Sequence, residues 1–157
     1  MSNPSIIEYL SAHEFFSDLG DDVLELLSEC SSTCRIKKGQ ILFRQGENAD
    51  KFYVILNGRV SVQIPAIIGP NLEIQTLSKN QVLGWSWLIP PYQWNFQAKA
   101  EEDSDLLQFA GPDVLARCEQ EPKLGYELLK KFAGLMSTRL EAARRKMMDE
   151  WNPAGFA

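Results

Sequence analysis

Five aromatic residues lie within a segment of twelve positions, between residues 85 and 96. Ring faces favour stacking and cation–π contacts, and small-molecule pockets are lined mainly by apolar and aromatic side chains. The segment therefore predicts an aromatic-lined pocket for a flat, cationic or largely apolar ligand. The aromatic residues are Trp85, Trp87, Tyr92, Trp94 and Phe96, and the candidate pocket residues are Gly84, Trp85, Ser86, Trp87, Leu88, Gln93, Trp94 and Phe96.

Catalytic chemistry has few candidate residues in this sequence. His13 is the only histidine, so any Ser-His-Asp or Cys-His set would have to use it, and it has no obvious metal or nucleophile partner in sequence. A packing or surface role is expected for it. The sequence has no P-loop and no Gly-x-Gly-x-x-Gly segment. A metal-dependent jelly-roll enzyme would need several His or carboxylate ligands, so no catalytic residue and no metal site are expected.

The elements that must position the aromatic segment form a long β region between helices. Short apolar runs separated by turn residues occupy residues 34–111, a spacing typical of a sandwiched or closed β fold, and a jelly roll fits best. Asn57-Gly58 joins two such runs and predicts a two-residue β-hairpin. Short N-terminal helices are expected over residues 5–33 and C-terminal helices over residues 112–151. Together they predict a mainly β protein of one domain, residues 1–157.

The first half of the β region resembles a known family. The order of its residues is Gly39, Phe43-Arg44-Gln45-Gly46-Glu47, Asp50, Phe52-Tyr53-Val54-Ile55, Asn57-Gly58 and Val60. This order is similar to the cyclic-nucleotide-binding domain family, which includes the bacterial catabolite activator protein. The resemblance runs from about Phe15 to Leu140 and implies a jelly roll with a regulatory role. In that family the ligand is held by a short cassette, which here corresponds to the segment from Leu83 to Ala98.

The cassette departs from the family at the two residues that grip the nucleotide. Gly84 and Leu88 match the pattern. Members that bind cyclic nucleotides follow the glycine with Glu, for the ribose 2′-hydroxyl, and carry Arg about nine residues later, for the cyclic phosphate. Trp85 stands at the Glu position, and Trp94 stands at the Arg position, or Gln93 if the register slips by one. An indole or a neutral amide cannot replace a bidentate guanidinium, so binding of cAMP or cGMP is doubtful and no cofactor is expected.

Three interpretations of the cassette follow from these departures. The rings fill the space that a nucleotide would occupy, leaving an interaction module without a small ligand. Alternatively, they line a pocket for a ligand other than a cyclic nucleotide. In the third interpretation an anion is held by backbone N–H groups near Trp85-Ser86-Trp87, at the start of a short helix that Pro90-Pro91 must end. A filled barrel mouth favours the first interpretation, and an open one favours the second.

The C-terminal segment predicts a long amphipathic helix from Pro122 to Trp151. Its apolar residues recur at steps of three and four, which approximates the a and d positions of a coiled coil. A homodimer paired along this helix is favoured, and the alternative packs the first half of the helix onto the barrel. The basic residues Arg139 and Arg144-Arg145-Lys146 stand among acidic ones and indicate a mixed surface charge. The predicted dimer residues are Leu129, Phe132, Met136, Leu140, Ala143 and Met147.

Charge and composition narrow the class of protein. The net charge of −5 disfavours nonspecific adhesion to nucleic acid, and no apolar run of membrane-spanning length or signal peptide is present. A cytoplasmic protein without membrane contact is expected. Six residues follow Trp151, too few for a helix-turn-helix unit, so no direct DNA binding is expected. The sequence thus predicts a non-enzymatic regulatory module that acts by dimerisation or by docking to a protein partner, with a small-molecule sensor as the alternative.

Overall fold

Two antiparallel four-stranded sheets face each other in the computed structural model, which describes residues 2–150. The first sheet has the strand order β1-β8-β3-β6 and the second has the order β2-β7-β4-β5, which is a jelly roll, as predicted. The strands are β1 (Ser31–Ile36), β2 (Ile41–Phe43), β3 (Lys51–Asn57), β4 (Arg59–Ile64), β5 (Leu72–Ser78), β6 (Val82–Leu83), β7 (Gln97–Ala100) and β8 (Ser104–Ala110).

Four helices flank the sheets within the described residues. They are α1 (Asn3–Ala12), α2 (Asp21–Glu29), α3 (Gly111–Gln120) and α4 (Pro122–Glu150). The β region begins at Ser31, three residues before the predicted boundary, because β1 pairs along its whole length with β8. The predicted helix end at Trp151 lies outside the described residues. No helix in residues 2–150 combines the length and the apolar character that a membrane crossing requires.

The predicted hairpin at Asn57-Gly58 is wrong. β3 pairs with β6 and β8 in the first sheet, whereas β4 pairs with β5 and β7 in the second. The chain therefore crosses from one sheet to the other at Gly58. This glycine has a φ of +107°, and a Cβ atom built on it would lie 2.7 Å from the backbone Cα of Ser104. A residue without a side chain is required there because the crossing strand ends pass so close to each other.

The two faces of β3 belong to different hydrophobic cores. Phe52 and Val54 face the helices, while Tyr53 and Ile55 face the space between the sheets. Burial on both faces explains why this strand is an unbroken apolar run rather than an alternating one. We call the core between the sheet and the helices the helical core; its members include Leu10, Phe16, Leu27, Trp87, Phe109, Leu128 and Phe132. We call the core between the two sheets the barrel core; its members include Ile36, Phe43, Val60, Leu77, Leu83, Trp94 and Leu106.

His13 has a packing role at the contact between the N-terminal helices and the sheets. Its ring is buried, and its Nδ1 accepts the backbone N–H of Phe15 at 3.0 Å. Its Nε2 therefore carries the proton and donates to the backbone carbonyl of Asn80 at 2.7 Å. Burial lowers the pKa of His13, although the Asn80 carbonyl and the nearby Glu14 oppose this effect. These bonds attach the N-terminal segment to the turn that precedes β6 and the aromatic segment.

Candidate ligand-binding cavity

A cavity of about 370 Å³ lies between the second sheet, the aromatic segment and α4. Apolar and aromatic side chains form most of its wall. The second sheet and β6 contribute Phe43, Val62, Ile74, Gln75 and Leu83; the aromatic segment contributes Gly84, Trp85, Ser86, Trp94 and Phe96; and α4 contributes Met136, Ser137, Arg139, Leu140 and Ala143. The cavity thus has walls from both the jelly roll and the C-terminal helix.

Three of the eight candidate pocket residues lie away from this cavity. Trp87 is 1% exposed and packs in the helical core, against Phe52 and Phe132. Leu88 is half-buried against the same core. Gln93 is exposed, and its backbone forms an isolated bridge with Asn48. The other five, which line the cavity, are Gly84, Trp85, Ser86, Trp94 and Phe96.

Trp94 occupies part of the barrel mouth. Its ring stacks on Phe43 with centroids 3.7 Å apart and planes 8° from parallel. Its edge lies against Gly84, where a Cβ atom would come within 2.7 Å of the indole Cη2. Gly84 also has a φ of +100°, which other residues rarely adopt. The indole therefore closes one side of the mouth, and the cavity remains on the other side, toward α4.

The backbone of the aromatic segment is fixed by the loop that follows β2. The backbone N–H of Trp94 donates to Glu47 at 3.0 Å, and its carbonyl accepts from Gly46 at 2.8 Å. The backbone carbonyl of Tyr92 accepts from Ala49 at 2.7 Å. A short 3₁₀ helix, Ser86–Leu88, follows Trp85 and contains Trp87. Trp87 is buried in the helical core, while Trp85 lies at the edge of that core and lines the cavity.

Arg139 is the only charged residue that lines the cavity within the part of the chain that the structure describes. Its Nη2 donates to the backbone carbonyl of Val82, and its guanidinium lies 5.8 Å from the centre of the Trp85 ring. Burial lowers the pKa of Arg139 to about 10, so the group is still protonated at neutral pH. The sequence pattern indicated that this residue belongs to a mixed surface charge, and that interpretation is wrong. The signal that was missed is its spacing, because Arg139 follows Met136 by three residues and precedes Ala143 by four.

The other basic residues of the run do lie on the surface. Arg144 and Arg145 both pair with Glu141, at 2.8 and 3.3 Å. Lys146 donates to the backbone carbonyls of Glu73 and Ile74 in β5, at 3.1 and 3.4 Å. Together with the bond from Arg139 to β6, these contacts attach the second half of α4 to strands on either side of the cavity.

Comparison with family models matches residues 33–121 to the one described as the cyclic nucleotide-binding domain. The match covers more than half of the chain. The chain belongs to the cyclic nucleotide-binding domain family. The resemblance to this family that was predicted from residues Gly39 to Val60 is therefore confirmed. The domain is of the type found in regulatory proteins.

Individual members and solved structures agree with this family. The anaerobic regulatory protein of Bacillus subtilis strain 168 is 28% identical in an alignment of 147 residues, which covers 91% of this chain and 59% of that protein. A putative cyclic nucleotide-binding protein from Geobacter metallireducens GS-15 has a TM-score of 0.76, with 23% identity over 85% of this chain and 96% of its own. The sensor domain of the transcriptional regulator DNR from Pseudomonas aeruginosa has a TM-score of 0.71, with 22% identity over 88% of this chain and 93% of its own. Both solved structures are similar to this chain in their fold.

The two tryptophans that the sequence comparison predicts at the nucleotide-gripping positions both lie in the cavity wall. Trp85 is half-buried and meets the guanidinium of Arg139, while Trp94 is 5% exposed and stacks on Phe43. Both positions present rings to the cavity. The cationic group of the cavity comes instead from α4, which lies outside the residues of the family match.

Proposed function

We propose that the domain is a non-enzymatic regulatory module whose cavity binds a small molecule other than a cyclic nucleotide. The observation that carries the proposal is the open cavity between the jelly roll and α4. Its volume falls within the range of about 300–1,000 Å³ that is usual for ligand pockets. Because α4 supplies one wall, a ligand changes the contacts of the helix directly. We infer that α4 transmits occupancy of the cavity.

The chemistry of the wall supports binding rather than catalysis. Its hydroxyl groups belong to Ser86 and Ser137, and no histidine, cysteine or carboxylate lies among the lining residues. A serine nucleophile requires a neighbouring base to become reactive. A cyclic nucleotide also requires partners for its ribose 2′-hydroxyl and its base edge, whereas the wall of this cavity consists mainly of aliphatic and aromatic side chains. We therefore propose neither an enzymatic role nor a cyclic nucleotide as the ligand.

The first prediction concerns cyclic nucleotides. Isothermal titration of the wild-type chain with millimolar cAMP or cGMP is expected to give no saturable heat. Each missing charge-assisted bond removes about 1.5–3 kcal/mol, which is roughly tenfold or more in affinity. The companion variant combines Trp85→Glu with Trp94→Arg. It is expected to lower the midpoint of urea unfolding without creating affinity, because it places two charges where rings now pack.

Two controls make the nucleotide test interpretable. Circular dichroism of each variant establishes that the β fold is present before titration. Gln93→Arg, at an exposed position outside the cavity, adds the same positive charge next to Trp94 and is expected to leave stability unchanged. Micromolar binding of cAMP or cGMP to the wild-type chain would contradict the proposal.

We also propose that the domain forms a homodimer along α4, through a narrower surface than the sequence predicted. Phe132 is fully buried in the helical core, and Met136, Leu140 and Ala143 line the cavity. Among these, Leu140 is the large apolar side chain that is also exposed to solvent. Leu129, Leu140 and Met147 are 51, 72 and 58% exposed. Their spacings of 11 and 7 residues are close to three and two helical turns, so the three side chains share one face of α4. A second copy that pairs through the same face would remove them from water.

The second prediction tests this dimer by light scattering at tens of micromolar. The wild-type chain is expected to have the mass of two chains, and Leu140→Glu with Met147→Glu the mass of one, because like charges would face each other across the two-fold axis. Ala142→Glu with Met148→Glu adds the same charge to other faces of the same exposed stretch and is the matched control. A monomeric wild-type chain, or equal dissociation of both double variants, would refute the proposed interface.

A further inference from the structure

The guanidinium of Arg139 reaches the cavity without a carboxylate to neutralise it. No salt bridge joins it to an acidic side chain within residues 2–150. By contrast, Arg144 and Arg145, on the same helix, both pair with Glu141. A guanidinium has five N–H donors, and the described contacts give Arg139 one acceptor, the carbonyl of Val82. The remaining donors have no acceptor among the described protein groups.

Arg139 is half-buried in a mainly apolar wall, and a partly desolvated charge is stabilised when an opposite charge or several hydrogen bonds meet it. The contacts with Val82 and the Trp85 ring compensate Arg139 only in part. Glu141 is two residues from Arg139 on α4, a spacing at which side chains do not face each other, and it pairs with Arg144 and Arg145. A ligand that brings a negative group into the cavity would complete the pairing.

We propose that the cavity recognises an amphiphilic organic monoanion, namely a carboxylate attached to an apolar body. This proposal rests on the proposed function. The carboxylate accepts the free N–H donors of Arg139, whose planar fork matches the two oxygens of a carboxylate. The body of the ligand lies against Trp85, Trp94, Phe96 and Met136, which form the apolar wall. Arg139 is thus the residue that determines specificity for the anionic head.

The side chains of the cavity wall also restrict the chemistry of the part of the ligand that lies beyond its anionic head. Ser86, Ser137 and Gln75 are the neutral polar residues among those that line the cavity. A sugar or a nucleobase would place most of its polar groups against apolar side chains there, where they find few hydrogen-bond partners, and this is unfavourable. An aromatic body of one or two rings, or a chain of similar size, contacts the wall without this loss. The ligand class therefore differs from a cyclic nucleotide in its body, although both are monoanions.

The test uses pairs of probes that differ only in the charge of the head. Isothermal titration at pH 7 compares 2-naphthoate with 2-naphthamide, and octanoate with octanamide, on the intact chain. Each acid is expected to bind at least about tenfold more tightly than its amide. Arg139→Met, which keeps an apolar stem, is expected to weaken the acids roughly 10- to 100-fold and to leave the amides unchanged. Arg145→Met removes an equal charge from the same helix outside the cavity and is expected to change neither.

Each other outcome overturns the inference in a distinguishable way. Equal binding of acid and amide would exclude the anionic class and leave the cavity as a ligand site. Binding of neither probe to the wild-type chain would overturn this inference and the proposed function together. Binding of cAMP that Arg139→Met abolishes, with no binding of the acids, would replace the ligand class by a nucleotide. If Arg139→Met does not fold, Arg139→Lys serves instead and is expected to weaken the acids while preserving their preference over the amides.

Discussion

Gly58→Ala is expected to destabilise the domain by about 2–5 kcal/mol, a large part of the stability of a domain of this size. Two effects add. The φ of +107° at Gly58 is strained for any residue with a side chain. The new methyl group would also lie 2.6 Å from the Cβ and 2.7 Å from the Cα of Ser104, so the backbone of β8 would have to move. Urea unfolding followed by circular dichroism measures the loss.

Gly39→Ala is the matched control for this prediction. Gly39 also has a positive φ, of +86°, but a Cβ atom built there meets nothing within 4 Å. Only the backbone strain remains, and it is expected to contribute about 1–2 kcal/mol. The difference between the two variants isolates the close approach of Gly58 to Ser104. Equal losses at the two positions would show that the crossing between the sheets is not tightly packed.

The error at Asn57-Gly58 shows which information a short motif lacks. The dipeptide correctly indicated two strands joined by a turn with a positive φ. It did not indicate whether those strands pair with each other, because strand partners are set by contacts far apart in sequence. β8, for example, lies between β1 and β3 in the first sheet. The jelly-roll order was available only through the family resemblance and the spacing of the strands.

The aromatic segment was recognised from sequence as one cluster, but the fold divides it. Trp85 borders the cavity, Trp87 lies in the helical core and Trp94 lies in the barrel core. Trp87 lies within a 3₁₀ helix of three residues that follows Trp85, and no periodicity can be read over so short a stretch. Composition therefore predicted a pocket in this region, and the directions of individual rings came from tertiary packing.

The apolar residues of α4 were divided by the fold in the same way. Their spacing predicted one continuous seam, yet Phe132 packs in the helical core and Leu140 borders the cavity. α4 packs on the helical core at its start and borders a cavity further on, so its neighbours differ from turn to turn. The period of its apolar residues is nevertheless the same throughout, so the period does not reveal the difference. Arg139 was misplaced for the same reason, since an arginine near acidic residues is usually solvated.

These divisions make the two sides of the aromatic segment separable by experiment. Residues that line the cavity are expected to change ligand binding with small effects on stability. Residues that face the helical core are expected to change stability without altering the wall. Trp85 and Trp87 are two positions apart: Trp87 is buried inside the helical core, whereas Trp85 packs against the edge of that core and also lines the cavity.

Trp87→Ala is expected to destabilise the domain by about 3–5 kcal/mol, since it removes a fully buried ring. Trp87 is 1% exposed, and the centroid of its ring lies 4.8 Å from the ring centroid of Phe52 and 5.2 Å from that of Phe132. The loss would leave a void where the 3₁₀ helix, β3 and α4 meet. Urea unfolding of the wild-type chain and the variant, followed by circular dichroism, measures the change in the free energy of unfolding.

Two comparison variants separate the Trp87 ring from its polar atom and from the cavity. Trp87→Phe keeps the aromatic contacts and removes an indole Nε1 that has no hydrogen-bond partner among the described residues, so a loss of less than about 1.5 kcal/mol is expected. Trp85→Ala truncates a half-buried ring that already borders open space, and a loss of less than about 2 kcal/mol is expected. If Trp87→Ala were near neutral, or if Trp85→Ala were the more damaging change, the assignment of Trp87 to the helical core and of Trp85 to the cavity would be reversed.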